Sequence, residues 1–253
     1  MNFLLEELSI NAWPAIHTLL YDGWVIRLSN GYGNRANSVS PLYPSKINLD
    51  EKIAYCDGFF SRHNLPVAYK LVGCKEHEGL ESRFEKIGYK KINETSVQTC
   101  EIAGMTGKNP EGIIITENFD EPWIKSVIEF NKIEEQHVQA FRAILKNIAM
   151  EKFVVCKEAA GEIVGCGYGA IGGGYAGVFD IVVRESFRGK GYGREIVESI
   201  HREAYKRGAE KAFLQVMLNN PVALNLYKKL GYKEAYKYWY RKKSLILTPQ
   251  DNY

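Results

Sequence analysis

Long apolar runs are missing from this chain: none approaches the roughly 20 residues that cross a bilayer. Residues 1–20 also lack a basic leader followed by an apolar stretch and a small-residue cleavage site, so the reading is a cytoplasmic protein with no membrane partner. Cysteine is scarce. Cys56, Cys74, Cys100, Cys156 and Cys166 are odd in number, widely spaced and free of any C-x-x-C pair, which argues against a disulfide framework or a zinc site and leaves them as small buried side chains. His17, His63, His77, His137 and His201 show no metal-ligand spacing, and no metal is expected. An excess of one charge is absent as well. The 33 basic and 30 acidic residues leave a formal charge of +3, which gives no broad electrostatic case for nucleic acid or an anionic surface.

What is present is enough apolar material, 45% of 253 residues, for one large domain or two ordinary ones. The sharpest break is Ala103 to Gly112, A-G-M-T-G-K-N-P-E-G, because clustered Gly, Asn and Pro sustain neither a helix nor a central strand. It sets expected domains at 1–103 and 112–253. Beyond it, Gly112 to Phe119 reads as a strand and Glu121 to Ile148 as one broken helix or two. Lys152 to Lys157, Ile163 to Ile171 and Gly174 to Val183 follow as an antiparallel meander turned at Gly161 and Gly172-Gly173-Gly174. From about Gly191 to Arg207, Ile196, Val197, Ile200 and Ala204 form an apolar helical stripe opposite Glu195, Glu198, Arg202 and Glu203. Lys211 to Leu218 reads as a buried strand, Asn220 and Pro221 open a helix that Gly231 ends, and Tyr232 to Arg241 is a last strand.

The first half ends in the same way. Val67 to Val72 as strand, Glu78 to Ile87 as helix, Gly88-Tyr89 as stop and Lys90 to Ile102 as strand repeat that closing order, and Phe84-Glu85-Lys86-Ile87-Gly88-Tyr89 aligns with Tyr227-Lys228-Lys229-Leu230-Gly231-Tyr232.

The chemistry concentrates at Arg188, where R-G-K-G-Y-G lies between an apolar strand and an amphipathic helix. Gly189, Gly191 and Gly193 allow a tight loop with inward amides, and the helix start adds partial positive charge, a suitable cradle for a pyrophosphate. Arg194 occupies the last glycine position of a G-x-G-x-x-G begun at Gly189, and no G-x-x-x-x-G-K-S/T is present, so the loop fits no dinucleotide or phosphate-loop fingerprint. With Arg188, Gly191 and Gly193 in R/Q-x-x-G-x-G/A, the chain resembles the GNAT superfamily of acetyltransferases. Asn220, Ala223, Leu226, Tyr227, Lys229, Gly231 and Tyr232 match a second signature of that superfamily.

The resemblance implies an α+β fold, a GNAT-like mixed and mostly antiparallel sheet with flanking helices, preceded by a smaller, degenerate GNAT-like half domain. It implies acetyl-CoA as co-substrate, with Arg188, Gly189, Lys190, Gly191, Tyr192 and Gly193 on the pyrophosphate, Val182 and Val183 on the pantetheine amides, and a splay between that strand and Phe213 to Leu218 for the thioester. A backbone amide near Val183 is then placed to polarise the acetyl carbonyl. Asn220 faces the CoA arm, caps its helix, or does both. Tyr227 is the candidate general acid for the leaving thiolate, its alternative being a packed aromatic. Asp180, a carboxylate in an otherwise apolar strand, is either base or substrate-orienting group; Glu185, Glu162 and a water relay are the other bases considered.

The first half lacks the phosphate loop and has Phe84 where Tyr227 stands, so it is not expected to hold CoA in the same way. Its own distinctive stretch runs from Gly23 to Val39, and Arg35, Asn37 and Ser38 either hold a polar or anionic part of the acceptor or belong to a sealing hairpin. The expected activity is acetyl transfer from acetyl-CoA to a primary amine, a small molecule, by direct attack in a ternary complex. The alternative is an acyl-CoA-binding sensor or scaffold without turnover, which has no need of a proton donor at Tyr227. The amine and the oligomeric state are not legible in the sequence.

Overall fold

The computed structural model describes residues 3–243, and these divide into two compact units that interleave along the chain. Unit A takes Ala15–Glu94 and the chain from residue 237; unit B takes the first helix and Thr95–Tyr236.

Unit A is built on β1 (His17–Tyr21), β2 (Trp24–Leu28), β3 (Ser38–Pro41), β4 (Ala68–Val72) and the end of β11 (Lys233–Lys242), adjacent in that order. β3 and β4 run parallel and the other pairs antiparallel. Two helices, α2 (Leu49–Ser61) and α3 (Lys75–Lys86), supply the cover. Asn48 starts α2 by accepting from the Asp50 amide at 2.9 Å, which satisfies one of the unpaired donors of a helix start. Trp24, Ile26, Val39, Tyr69 and Leu71 then form one core with Ile53, Phe60 and Phe84.

Unit B begins with α1 (Phe3–Ala12) and continues through β5 (Lys90–Glu101, from Thr95), β6 (Ile113–Thr116), α4 (Glu121–Phe130), α5 (Glu135–Lys146), β7 (Glu151–Ala159), β8 (Glu162–Gly172) and β9 (Tyr175–Val183). A 3-10 turn, Glu185–Phe187, leads to α6 (Tyr192–Lys206), β10 (Lys211–Met217) and α7 (Pro221–Lys229). The strands stand in the order β5-β10-β9-β8-β7-β6. Among the described residues of unit B, only β9 and β10 pair in parallel. The expected mixed, mostly antiparallel α+β architecture is present, and the region read as one helix or two is α4 followed by α5.

Two features bring α6 onto the sheet. Ile196, Val197, Ile200 and Ala204 are fully buried, the three branched side chains contributing about 1.5–3 kcal/mol each. Opposite them β8 is thinned by Gly165 and Gly167: a Cβ at Gly165 would lie 2.7 Å from Ile196 Cδ1, and one at Gly167 would lie 3.0 Å from Ile196 Cγ2 and 3.3 Å from Ile200 Cδ1. Glycine here permits close helix-to-sheet approach, and any larger residue would push the helix off.

The units do not divide at the glycine and proline run. They divide at Glu94/Thr95 and at Tyr236/Lys237. Residues 95–101 pair with β10 at the register Lys211↔Glu101 to Met217↔Thr95, while residues 238–242 pair with β4. The run from 103 to 112 is only a connection, because compactness follows strand pairing and not local breakers. The first helix also differs from the expected 1–103 grouping. Tyr168 donates to Ala12 O at 2.9 Å, and Leu8 Cδ2 would stand 2.9 Å from a Cβ at Gly172, so α1 packs within unit B.

Candidate active site

The stretch from Arg188 to Gly193 forms the turn between the 3-10 turn and α6. Gly189 and Gly191 sit at φ of 78° and 87°, a left-handed conformation that a side chain disfavours. A Cβ at either would meet nothing within 4 Å, so the space before the loop is open. The first helical bonds are those of the Arg194 and Glu195 amides to Gly191 O. Helix geometry leaves the Tyr192 and Gly193 amides as donors without intrahelical acceptors, beside the Gly189 and Lys190 amides of the turn. Arg188 Nε donates to Val183 O at 3.1 Å and ties the loop to the end of β9. The Lys190 ammonium lies 4.8 Å from the centre of the Phe187 ring. This amide-rich, positively biased loop fits a diphosphate.

β9 departs from regular pairing immediately upstream. Cys166 pairs with Val182 but Tyr168 pairs with Phe179, so Asp180 and Ile181 together stand opposite Gly167. That is a β-bulge, and Asp180 occupies it at φ 49°. On its other edge β9 pairs with β10 only over Lys211↔Tyr175, Ala212↔Ala176 and Phe213↔Gly177. Beyond this point β9 continues to Val183 and β10 to Met217 without pairing to each other among the described residues. The two strands part, as the sequence resemblance implied, and unpaired backbone groups on parted strands can take up an extended amide-bearing arm.

α7 packs Tyr227 into one core with Val178 of β9 and Val216 of β10. Asn220 Oδ1 accepts from the Ala223 amide at 3.1 Å, so its cap role is realised. Tyr227 packs in the core with 8% of its surface exposed. Its hydroxyl has no hydrogen-bond partner among the described residues, and burial pushes its pKa up to about 12. The phenol is therefore protonated throughout the neutral range, the form a proton donor requires. Tyr232 lies edge-on to it, 5.6 Å between ring centres. The Tyr232 hydroxyl is 2.7 Å from His201 Nε2 in a fully buried pair. Burial lowers the His201 pKa to about 4, so the imidazole is neutral.

The remaining expected residues fall differently. Asn37 is the clasp of its own loop: its Oδ1 accepts from the Ser29 amide at 2.6 Å and the Gly31 amide at 3.1 Å, and its Nδ2 donates to Tyr32 O and Gly33 O at 2.9 and 3.0 Å. That engagement corrects its assignment as an acceptor ligand, since an amide so committed has no free group to offer. Arg35, beside it, is half-buried. Of the other carboxylates considered as base, Glu162 is held by Arg184, and Glu185 lies 3.6 Å from Lys132. Sequence reasoning missed the bulge, the glycine-thinned face of β8 and the Tyr232–His201 pair. The first two had signals, a lone carboxylate in an apolar strand and the alternation Gly165, Gly167, Gly169, while the third joins residues 31 apart and left none.

The corner after α7 has a counterpart after α3. Tyr232 N donates to Tyr227 O at 3.0 Å and Tyr89 N to Phe84 O at 2.9 Å, with Gly231 and Gly88 both at φ 86°. The aromatic pairs also match, Tyr227–Tyr232 at 5.6 Å and Phe84–Tyr89 at 5.1 Å, each with rings inclined by 63°. The local repeat read from the sequence is thus a repeat of structure at these corners.

Among known proteins, residues 116–232 match the model of the acetyltransferase (GNAT) family. The uncharacterised N-acetyltransferase YobR of Bacillus subtilis is 26% identical over 244 residues, covering 94% of this chain and 96% of its own length. A GCN5-related N-acetyltransferase from Kribbella flavida superposes with a TM-score of 0.70 at 14% identity, over 96% of this chain and 95% of that one. A tandem GNAT protein from the clavulanic acid biosynthesis pathway gives 0.61 at 12% identity, over 81% and 75%. Family match, relative and fold agree with one another: residues 116–232 form an acetyltransferase (GNAT) family segment, and the protein is an acetyltransferase.

Proposed function

We propose that the protein transfers the acetyl group of acetyl-CoA to a primary amine of a small molecule, by direct attack within a ternary complex. The observation that carries this reading is the parting of β9 from β10 together with a buried, protonated tyrosine that shares a core with Val178 of β9 and Val216 of β10 and whose hydroxyl is uncommitted. The CoA diphosphate rests on the amides from Gly189 to Gly193, with Arg188 and Lys190 adding charge, and the pantetheine follows the free edge of β9 at Val182 and Val183. The bulge turns backbone out of the ladder where the thioester carbonyl arrives, so an amide there can bind the developing oxyanion. Asp180 takes the proton of the incoming ammonium or orients it, the amine attacks the carbonyl carbon, and the C–S bond breaks as Tyr227 protonates the leaving sulfur. Holding both reactants in one site supplies much of the acceleration.

In unit A, the repeated corner supports reading this part as a degenerate GNAT-like half. It has Phe84 in place of the tyrosine and no glycine in residues 42–48, the stretch that leads into α2. The test is acetyl-CoA-dependent thiol release over a library of amines, with mass spectrometry of the products. An acetylated amine formed at a rate above the acetyl-CoA hydrolysis background is expected. Tight acyl-CoA binding without thiol release from any amine would overturn the catalytic reading in favour of a sensor.

A further inference from the structure

We propose that Cys156 and Cys166 are an oxidative modification site, a dithiol that closes to a disulfide between β7 and β8 when the enzyme meets a peroxide. The two residues are direct partners in the antiparallel register of these strands. Both are free cysteines, Cys166 fully buried and Cys156 half-buried. Directly opposed residues on antiparallel strands hold their Cβ atoms about 4.5–5.5 Å apart. A disulfide needs about 3.5–4.5 Å, so closure asks for a movement of about 1 Å and no change of backbone register. Cys156 is the largest influence on the Cys166 thiol, followed by burial, and both hold it in the protonated form. The register sets the Cys166 side chain directly across from the sulfur it must attack.

The difference in burial assigns the order of events. Cys156, open to solvent on one side, displaces water from hydrogen peroxide as the O–O bond breaks, and becomes a sulfenic acid. The Cys166 sulfur then attacks the Cys156 sulfur, the S–O bond breaks, and a second water leaves with the Cys166 proton. Two thiols lose two electrons and one peroxide gains them. The other three cysteines have no such neighbour. Burial pushes Cys56 up to about 12 and Cys100 up to about 11, and Cys100 stands opposite Ala212.

The location links this chemistry to the acetyl-transfer reading, on which the second half of the inference rests. Cys166 is also the cross-strand partner of Val182, and its neighbour Gly167 faces the bulge at Asp180 and Ile181. A shift of about 1 Å at reacting groups can cost about 10²-fold in rate. Oxidation should therefore lower turnover by at least about tenfold, reversibly.

The experiment uses the full chain treated with hydrogen peroxide, alkylated in denaturant and mapped by mass spectrometry without reduction. The expected product joins the Cys156 and Cys166 peptides, with Cys56, Cys74 and Cys100 alkylated, and dithiothreitol restores five alkylated cysteines. In parallel, wild type should lose turnover and regain it on reduction, whereas Cys156→Ser should start near the wild-type rate and keep it. Cys156 found only as sulfinic acid, or all five thiols alkylated after peroxide, overturns the modification site. A linked peptide with undiminished turnover upholds the site but overturns its coupling to acetyl transfer.

Discussion

Replacing Tyr227 by phenylalanine separates chemistry from architecture, because the structure makes the two contributions of this residue unequal. The ring is 8% exposed and packs against Tyr232, and its backbone carbonyl accepts from Tyr232 N in the corner that ends α7. All of this survives in phenylalanine. The hydroxyl makes no hydrogen bond among the described residues, so its removal orphans no buried partner, and the stability change should stay within about 0.5 kcal/mol. Loss of a general acid costs about 10²–10⁴ in rate, or roughly 3–5 kcal/mol in the barrier. The proper assay is single-turnover thiol release at saturating acetyl-CoA, with CoA affinity measured by calorimetry on the same preparation. Turnover should fall while affinity and melting temperature hold. A donor with a more acidic leaving thiol should narrow the gap, since such a thiolate departs without help. With a pKa of about 12, the tyrosine stays protonated well past neutrality and should impose no alkaline limb on the wild-type profile below about pH 10. Unchanged single-turnover rates in the variant would refute the assignment of Tyr227 as proton donor.

Gly191→Trp should abolish measurable CoA binding, because it places a large side chain at φ 87° in the open space before the loop; calorimetry on the folded variant decides it. Stability should fall as the solution is acidified from about pH 6.5 to about pH 4, because burial lowers the folded-state pKa of His201 and the unfolded chain takes the proton first. At about 1.4 kcal/mol per pH unit, this comes to about 3 kcal/mol over that window, seen as a shift in urea midpoint that His201→Leu should flatten.

How much of this could be read from residues alone depends on the range of the interaction. α6 was legible because its stripe of Ile196, Val197, Ile200 and Ala204 repeats at helical spacing and the same residues are the buried ones. The loop from Arg188 to Gly193 was legible because left-handed turns demand glycine. The division of the chain was not. It is set by which strand residues 95–101 and 238–242 find as partners, and pairings between residues more than a hundred positions apart leave no local trace. Asn37 failed for a related reason: the composition of Gly23 to Val39 shows donors and acceptors, but only the folded loop shows them satisfied by one another.

The bulge gives the strongest physical argument that the opening between β9 and β10 is maintained for use. Asp180 is held at φ 49°, a left-handed conformation that costs an ordinary residue of order 1 kcal/mol. Gly165 and Gly167 give up side-chain burial in the middle of a sheet, where β-branched residues would ordinarily add stability. Gly189 and Gly191 add further chain entropy to be lost on folding. A sheet selected for stability alone would remove each of these features, since regular pairing of β9 with β10 would satisfy the amides that the parting leaves open. Instead the three stand within one stretch of chain, and each serves the same end: the glycines of β8 let α6 approach, α6 presents its amide-rich start, and the bulge turns the backbone of β9 beside it. Stability forgone at several positions of neighbouring elements, around one gap between strands, is what the proposed binding of an extended acyl donor along that gap requires.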